Sequence, residues 1–309
     1  MPALMTHYLF ARRVEAMLTA NDARPSALSP SAMYWGAQGP DFLFYHRALP
    51  HQLGKSFRRL GSDLHRADPA VTFGHMADYT RRCPLQSRVY ALSFAYGFLC
   101  HLALDSTVHP FVYWFQGELA RKTGGRPAFM HHKIEHNLDT ILLLRERGTF
   151  PSAFNIEEAL PDDPAALAAA ARMMRYVFAR MYPEKKISAA KLLEAFRDSK
   201  LSSGLLQDKK GRKRRLLLRA ESKVPARVSL SSFICPDRPD GDWDYPNLSH
   251  RPWADQGKGG GILRTDDFFV LFENGVSAAA GLCRSFRACV EEKKPVDFLG
   301  DYDFHNGGA

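Results

Sequence analysis

The stretch Ser93-Phe-Ala-Tyr-Gly-Phe-Leu-Cys-His101-Leu-Ala-Leu-Asp105-Ser-Thr-Val-His109-Pro-Phe-Val-Tyr-Trp114 decides how this chain folds. It is apolar and aromatic almost throughout, yet it spaces His101, Asp105 and His109 four residues apart. Four residues of α-helix turn through about 400°, so successive members are offset by about 40° and run down one stripe. Two imidazoles and a carboxylate on a buried stripe must find partners. A divalent metal supplies them, since His nitrogen and Asp oxygen are ordinary zinc ligands. A hydrogen-bonded polar seam in a helical core is the competing reading. The pattern implies a central helix over residues 85–116, with Pro110 kinking or interrupting it just after His109.

A second helix, Phe129–Leu144, repeats the device with His131 and Glu135 four apart, while His132, His136 and Asp139 lie on neighbouring strips. Facing the first stripe inside one bundle, this pair would complete a carboxylate and imidazole cluster. Residues 6–20 read as an amphipathic helix with Leu9, Phe10, Val14, Met17 and Leu18 on its apolar face. Thr6 offers an N-cap and would set His7 on the first turn. Residues 21–40, rich in Pro and Gly, read as loop with at most short turns. They end at Pro40, which at a first helical position would set Asp41 near a helix start. Further on, His65 and His75 compete as the next candidate, and spacing does not choose between them.

The wider composition fits a soluble globular chain: 309 residues, 45% hydrophobic and 24% charged. No apolar run reaches the roughly 20 residues that span a bilayer, and the N-terminus lacks a signal-peptide pattern, so the expectation is a cytoplasmic protein. Five cysteines without C-x-x-C spacing read as reduced thiols. Strand signals are scarce, with Arg227–Cys235 the one candidate, so the expected fold is all-α, a bundle of roughly eight or more helices. One domain is expected over 1–309: a metal-site core at 1–145, further packing helices at 150–200, basic and irregular loops at 201–265, and a final helix at 266–290 with a peripheral tail. The loop at 229–265, anchored by Trp243, Tyr245 and Trp253, reads as functional, packed as a lid, or flexible. Net charge is +9, which favours anionic partners. Six of the seven residues Lys209–Arg215 are basic. That run is either a solvated loop or a contact for anionic membrane or nucleic acid.

Taken together, the ordered pieces resemble the bacterial zinc-dependent phospholipase C family, which is related in fold to S1/P1-type nucleases. The pieces are Thr6-His-Tyr-Leu-Phe-Ala11, Gly36-Ala-Gln-Gly-Pro-Asp41, Gly61-Ser-Asp-Leu-His65, Gly97–Phe111 and His131-His-Lys-Ile-Glu135. The resemblance implies a multi-helix bundle with a zinc cluster in a cleft, two or three Zn2+ per chain. It selects His65 over His75. It places His65, His101 and Asp105 on one zinc, His109, His131 and Glu135 on a second, and His7 on a third with Asp41 nearby. Secreted members use a processed N-terminal residue on the third zinc, whereas here removal of Met1 would leave only a short arm before His7.

Such a cluster suits phosphodiester cleavage, because zinc yields hydroxide at neutral pH and neutralises charge on the phosphate oxygens. The implied activity is a phospholipase C that attacks phospholipid through a metal-bound hydroxide. Diacylglycerol and a phosphorylated head group leave, and Asp41 orients or deprotonates the water. Two alternatives share these residues. One is a nuclease or nucleotide phosphohydrolase; the other is a non-catalytic, metal-stabilised module at a membrane surface.

Overall fold

The structure is a computed structural model of the chain and describes residues 4–21, 27–49, 51–223, 229–255 and 261–304. Among these residues there are eleven α-helices and one two-stranded hairpin, so the fold is all-α. The helix α5 (Leu85–Thr123) runs through the middle. It is long and apolar enough to cross a bilayer, but most of it is buried inside the protein. Around it pack α1 (Leu4–Asn21), α2 (Pro30–Ala37), α4 (Pro69–Arg82), α6 (Pro127–Arg147), α8 (Pro164–Met181) and α11 (Phe268–Glu292). The outer elements are α3 (Arg58–His65), α7 (Ile156–Ala159), α9 (Ala189–Leu206) and α10 (Lys213–Glu221).

Pro110 lies inside α5 and does not end it. A proline in a helix interior costs about 3 kcal/mol through its lost hydrogen bond and ring clash. Burial on both sides of Pro110 opposes that penalty, because Val108, Phe111, Val112 and Phe115 are all buried. The irregular segment after α10 packs directly on this half of α5: Trp253 meets Phe111 with ring centroids 5.5 Å apart, and Tyr245 meets Phe115 at 5.9 Å. Its only regular pairing among the described residues is the antiparallel hairpin of β1 (Trp253–Asp255) and β2 (Ile262–Arg264).

Five expectations need correction. Residues 30–37 are helical, not loop: the Ser29 hydroxyl accepts the Ala32 N–H at 3.3 Å and Pro30 takes the first turn, so α2 starts where its capping chemistry allows. Thr6 is not the N-cap of α1, which already begins at Leu4. The Arg227–Cys235 strand is not found; Leu230–Phe233 is a 3-10 turn, and residues 227–228 lie outside the described residues. The tail is not peripheral, since Leu299 and Phe304 are buried against the core. The expected loops at 201–265 also contain the end of α9, all of α10 and the hairpin.

Helix α2 packs backbone to backbone against α5, and two glycines allow it. A Cβ on Gly97 would run into the carbonyl oxygen of Met33, and one on Gly36 into that of Phe94. This approach delivers the turn after α2, a 3-10 helix over Gly39–Tyr45, to the polar stripe of α5. Gly97→Ala is therefore expected to lower stability by about 1–3 kcal/mol through overpacking. The check is a chemical-denaturation midpoint; an unchanged midpoint would show that the two helices separate without strain.

Candidate metal centre

The stripe on α5 faces a gap into which four other elements deliver side chains. His101, Asp105 and His109 come from α5, and His131 and Glu135 from the first half of α6. His7 comes from the first turns of α1, Asp41 from the 3-10 turn after α2, and His65 from the end of α3. All eight residues singled out from the sequence meet here, in three groups: Asp41, His65 and His101; His7, His101 and Asp105; and His109, His131 and Glu135. His75 is in none of these groups. The detailed pairing differs from the one the resemblance implies. His65 Nε2 lies 3.1 Å from Asp41 Oδ1, and Asp105 turns one oxygen toward His7 Nε2 at 3.5 Å.

Each position has a local cause. His101 sits against Gly39, whose φ of +52° and missing side chain leave the space; a Cβ there would lie 2.6 Å from His101 Nε2. The His7 position depends on Asp139, one turn beyond Glu135 on α6. Asp139 Oδ1 accepts the Thr6 N–H at 2.6 Å and the Thr6 hydroxyl at 2.7 Å, while Oδ2 accepts the Met5 N–H at 3.4 Å. The first N–H groups of a helix lack internal partners, so α1 is capped by a carboxylate from a distant helix. Burial pushes Asp139 up to about 7, against these hydrogen bonds.

The ring tautomers follow from hydrogen bonds to the outer nitrogens. Nδ1 of His65 donates to Gly61 O at 2.8 Å, that of His101 to Ala37 O at 3.1 Å, and that of His131 to Gln116 Oε1 at 3.0 Å. A proton fixed on Nδ1 leaves the Nε2 lone pair pointing inward, the usual outer support of a metal-binding histidine. Buried His101 Nε2 has no hydrogen-bond partner. Distances between inward atoms run from 3.0 Å (His131 Nε2 to Glu135 Oε1) through 3.1 Å (His101 Nε2 to Asp105 Oδ2) to 3.7 Å (His109 Nε2 to Asp105 Oδ1). Ligands about 2.0–2.1 Å from a tetrahedral zinc stand about 3.3 Å apart. The residues present therefore fit zinc.

Charge agrees with geometry. Burial alone would raise the Asp105 pKa, but the His101 and His109 rings hold its carboxyl below the ordinary range. Burial likewise opposes ionised Glu135, and His131 and His109 bring it well below its usual value. Burial lowers His109, but Asp105 and Glu135 outweigh this and raise it to about 9. His7 is lowered to about 4 by burial and by neighbouring His101, so it is neutral at pH 7. Three ionised carboxylates gathered out of water call for cations.

The side chains of His65, His109 and His131 keep 13%, 14% and 15% exposure while His101 keeps none, which marks the mouth of the cleft. Phe44 stacks on His65 at 5.4 Å, and Tyr113 lies 5.3 Å from His131 and 5.4 Å from His109. Phe304 forms a further wall, 5.9 Å from both His65 and His101. Its segment is fastened by the Ser106 hydroxyl, which donates to Asp303 O at 2.5 Å. Neither Phe304 nor Gln116 was singled out from the sequence, because a lone aromatic in a tail and a lone amide carry no spacing signal. Asp139 did have one, four residues after Glu135.

His46, Glu194 and Asp198 form a fourth gathering that does not suit a metal. His46 Nδ1 accepts the Phe57 N–H at 3.1 Å, which leaves the proton on Nε2. Arg47 Nε donates to Glu194 at 2.8 Å, and the Arg47 N–H donates to Asp198 at 2.9 Å. This is a clasp between α9 and the turn carrying Asp41.

Three adjoining groups of buried imidazoles and carboxylates in an all-α bundle are a site able to hold metal ions. The sequence model of a family described as zinc dependent phospholipase C matches residues 6–186, and the chain belongs to that family. Neither the curated proteins nor the solved structures gave a match. The protein is thus a zinc-dependent phospholipase C-type hydrolase with phospholipid as its substrate.

Asp139→Ala tests the link between the helix cap and the centre. The variant is expected to lose about 0.5–2 kcal/mol of stability and to hold less zinc per chain by elemental analysis, because His7 loses its fixed backbone. Unchanged zinc content would show that other contacts place His7.

Proposed function

We propose that Asp41, His65, His101 and Asp105 hold one zinc, that His109, His131 and Glu135 hold a second, and that His7 with Asp105 holds a third. The observation that carries this is the convergence of Nε2 atoms, three with their tautomer fixed from behind, on carboxylate oxygens at zinc-ligand spacing. Helices α8, α9 and α11 belong to the same domain on this reading, since they share the core that surrounds α5.

The reaction is hydrolysis of the bond between phosphorus and the glycerol oxygen. A water oxygen bonds to phosphorus, the glycerol oxygen leaves with a proton, and diacylglycerol separates from the phosphorylated head group. Bound zinc supplies acidified water and stabilises charge on the phosphate oxygens. The chain's own part begins with Asp41. Burial would raise its pKa, but His101 and His65 keep it low, so it is ionised and accepts a proton from the attacking water. The partly buried rings of Phe44 and Tyr113 wall the mouth and orient the substrate.

Asp41→Asn keeps an oxygen but removes the proton acceptor. It is expected to retain zinc and lose at least about a hundredfold in kcat on a soluble short-chain phosphatidylcholine, measured by release of phosphocholine. Full turnover would remove Asp41 from the mechanism.

Zinc affinity should also depend on pH, with a definite sign. The metal-free site keeps a proton on His109 up to pH about 9, and zinc must expel it. Affinity should therefore rise about tenfold per pH unit between pH 7 and pH 8, read by competition with a chromophoric chelator. A flat profile would place His109 outside the ligand set.

A further inference from the structure

The basic run that the metal centre does not use is built into a fixed platform. Helix α10 carries Lys213-Arg-Arg-Leu-Leu-Leu-Arg-Ala-Glu221. Asp208 holds its start, with Oδ1 accepting the Arg212 N–H at 3.0 Å and Oδ2 the Arg214 N–H at 2.9 Å. Lys213 Nζ donates to the Leu205 carbonyl at 2.7 Å. On the inner face, Arg214 pairs with Asp240, and the Glu221 carboxylate accepts the Ser231 N–H and hydroxyl at 2.8 and 2.6 Å.

The outer face is different. Arg212, Arg215, Leu216 and Arg219 follow i, i+3, i+4, i+7 spacing and form one exposed stripe. Lys209 and Lys210 precede it, also exposed. None of these five cations has an ion-pair partner among the described residues. Like charges at this spacing repel one another, and nothing on the helix relieves them. Leu216 sits inside the stripe at 62% exposure.

We propose that the outer face of α10, with Lys209 and Lys210, docks the protein on an anionic phospholipid surface. The cations meet the head groups and Leu216 enters the boundary with the acyl chains, the division of labour of an interfacial helix. An exposed leucine within the charged stripe favours lipid over nucleic acid, which is held by cations interleaved with stacking aromatics. The platform also lies close to the centre. Ser231, held by Glu221, belongs to the 3-10 turn whose Ser232 carbonyl accepts His136 Nδ1 at 2.7 Å and whose Phe233 lies 4.7 Å from the His132 ring. Docking there sets the bilayer beside the cleft. The reason for docking rests on the phospholipase reading, but the contact itself does not.

The test is co-sedimentation of the zinc-loaded full chain with phosphatidylcholine vesicles, with and without phosphatidylglycerol. Binding is expected only with phosphatidylglycerol and should weaken as salt rises. Arg212→Gln/Arg215→Gln/Arg219→Gln should lose about a hundredfold in binding, at about fivefold per cation, and Leu216→Ser about tenfold or more. Both variants should hydrolyse soluble short-chain phosphatidylcholine at the wild-type rate, which also shows that they fold. Equal binding to both vesicle types, unchanged binding by the triple variant, or binding to single-stranded DNA with none to vesicles would overturn the proposal. Wild-type protein that docks through α10 yet leaves the soluble substrate intact would overturn the catalytic reading alone.

Discussion

Asp105 stands at the centre of a buried helix, and a carboxylate there must be met by partners or it will not stay ionised. Its oxygens lie near His7, His101 and His109, which come from two helices. The remaining architecture brings partners to that one group. The paired glycines of α2 and α5 let the Asp41 turn approach, and Asp139 fixes the start of α1 for His7. Removing one partner from such a network would leave buried charge behind, a far larger loss than the net value of any one contact.

The same arrangement couples folding to metal. The site gathers three carboxylates where water cannot reach all of them, and imidazoles offset that charge only in part. A cation that binds the folded site and not the open chain adds its binding free energy to stability. Electrostatics and packing therefore share a requirement: helices α1, α5 and α6 must hold their mutual positions for the cluster to exist, and the cluster tightens those positions.

Much of this was legible in the sequence because helical periodicity maps directly onto a face. His101, Asp105, His109, His131 and Glu135 announce themselves by spacing, and the structure brings them into one cleft. What periodicity does not encode is reach between distant elements. Thr6 has the chemistry of a cap, but the real cap is Asp139, a contact between residues 133 positions apart. The helix α2 hid among Pro and Gly residues that normally punctuate loops, although Ser29-Pro30 is a helix-start signal. Pro110 reads as a stop, yet burial of Phe111 and Phe115 under Trp253 and Tyr245 carries the helix past it. Nothing in the local sequence of the tail points to Phe304 as a wall of the cleft.

That wall has a bearing on how the protein matures. Synthesis runs from His7 toward Phe304, so a chain leaving the ribosome exposes all eight candidate ligands before the ring beside His65 and His101 has been made. Helices α5 and α6 and the segments ahead of them emerge first, and α11 and the tail emerge last, in a chain of a size that folds in stages. Metal thus has an open approach during biogenesis. The later arrival of Phe304, clasped through Ser106, narrows that approach from the side. The order of synthesis thus makes the candidate ligands before it makes the wall that stands over them.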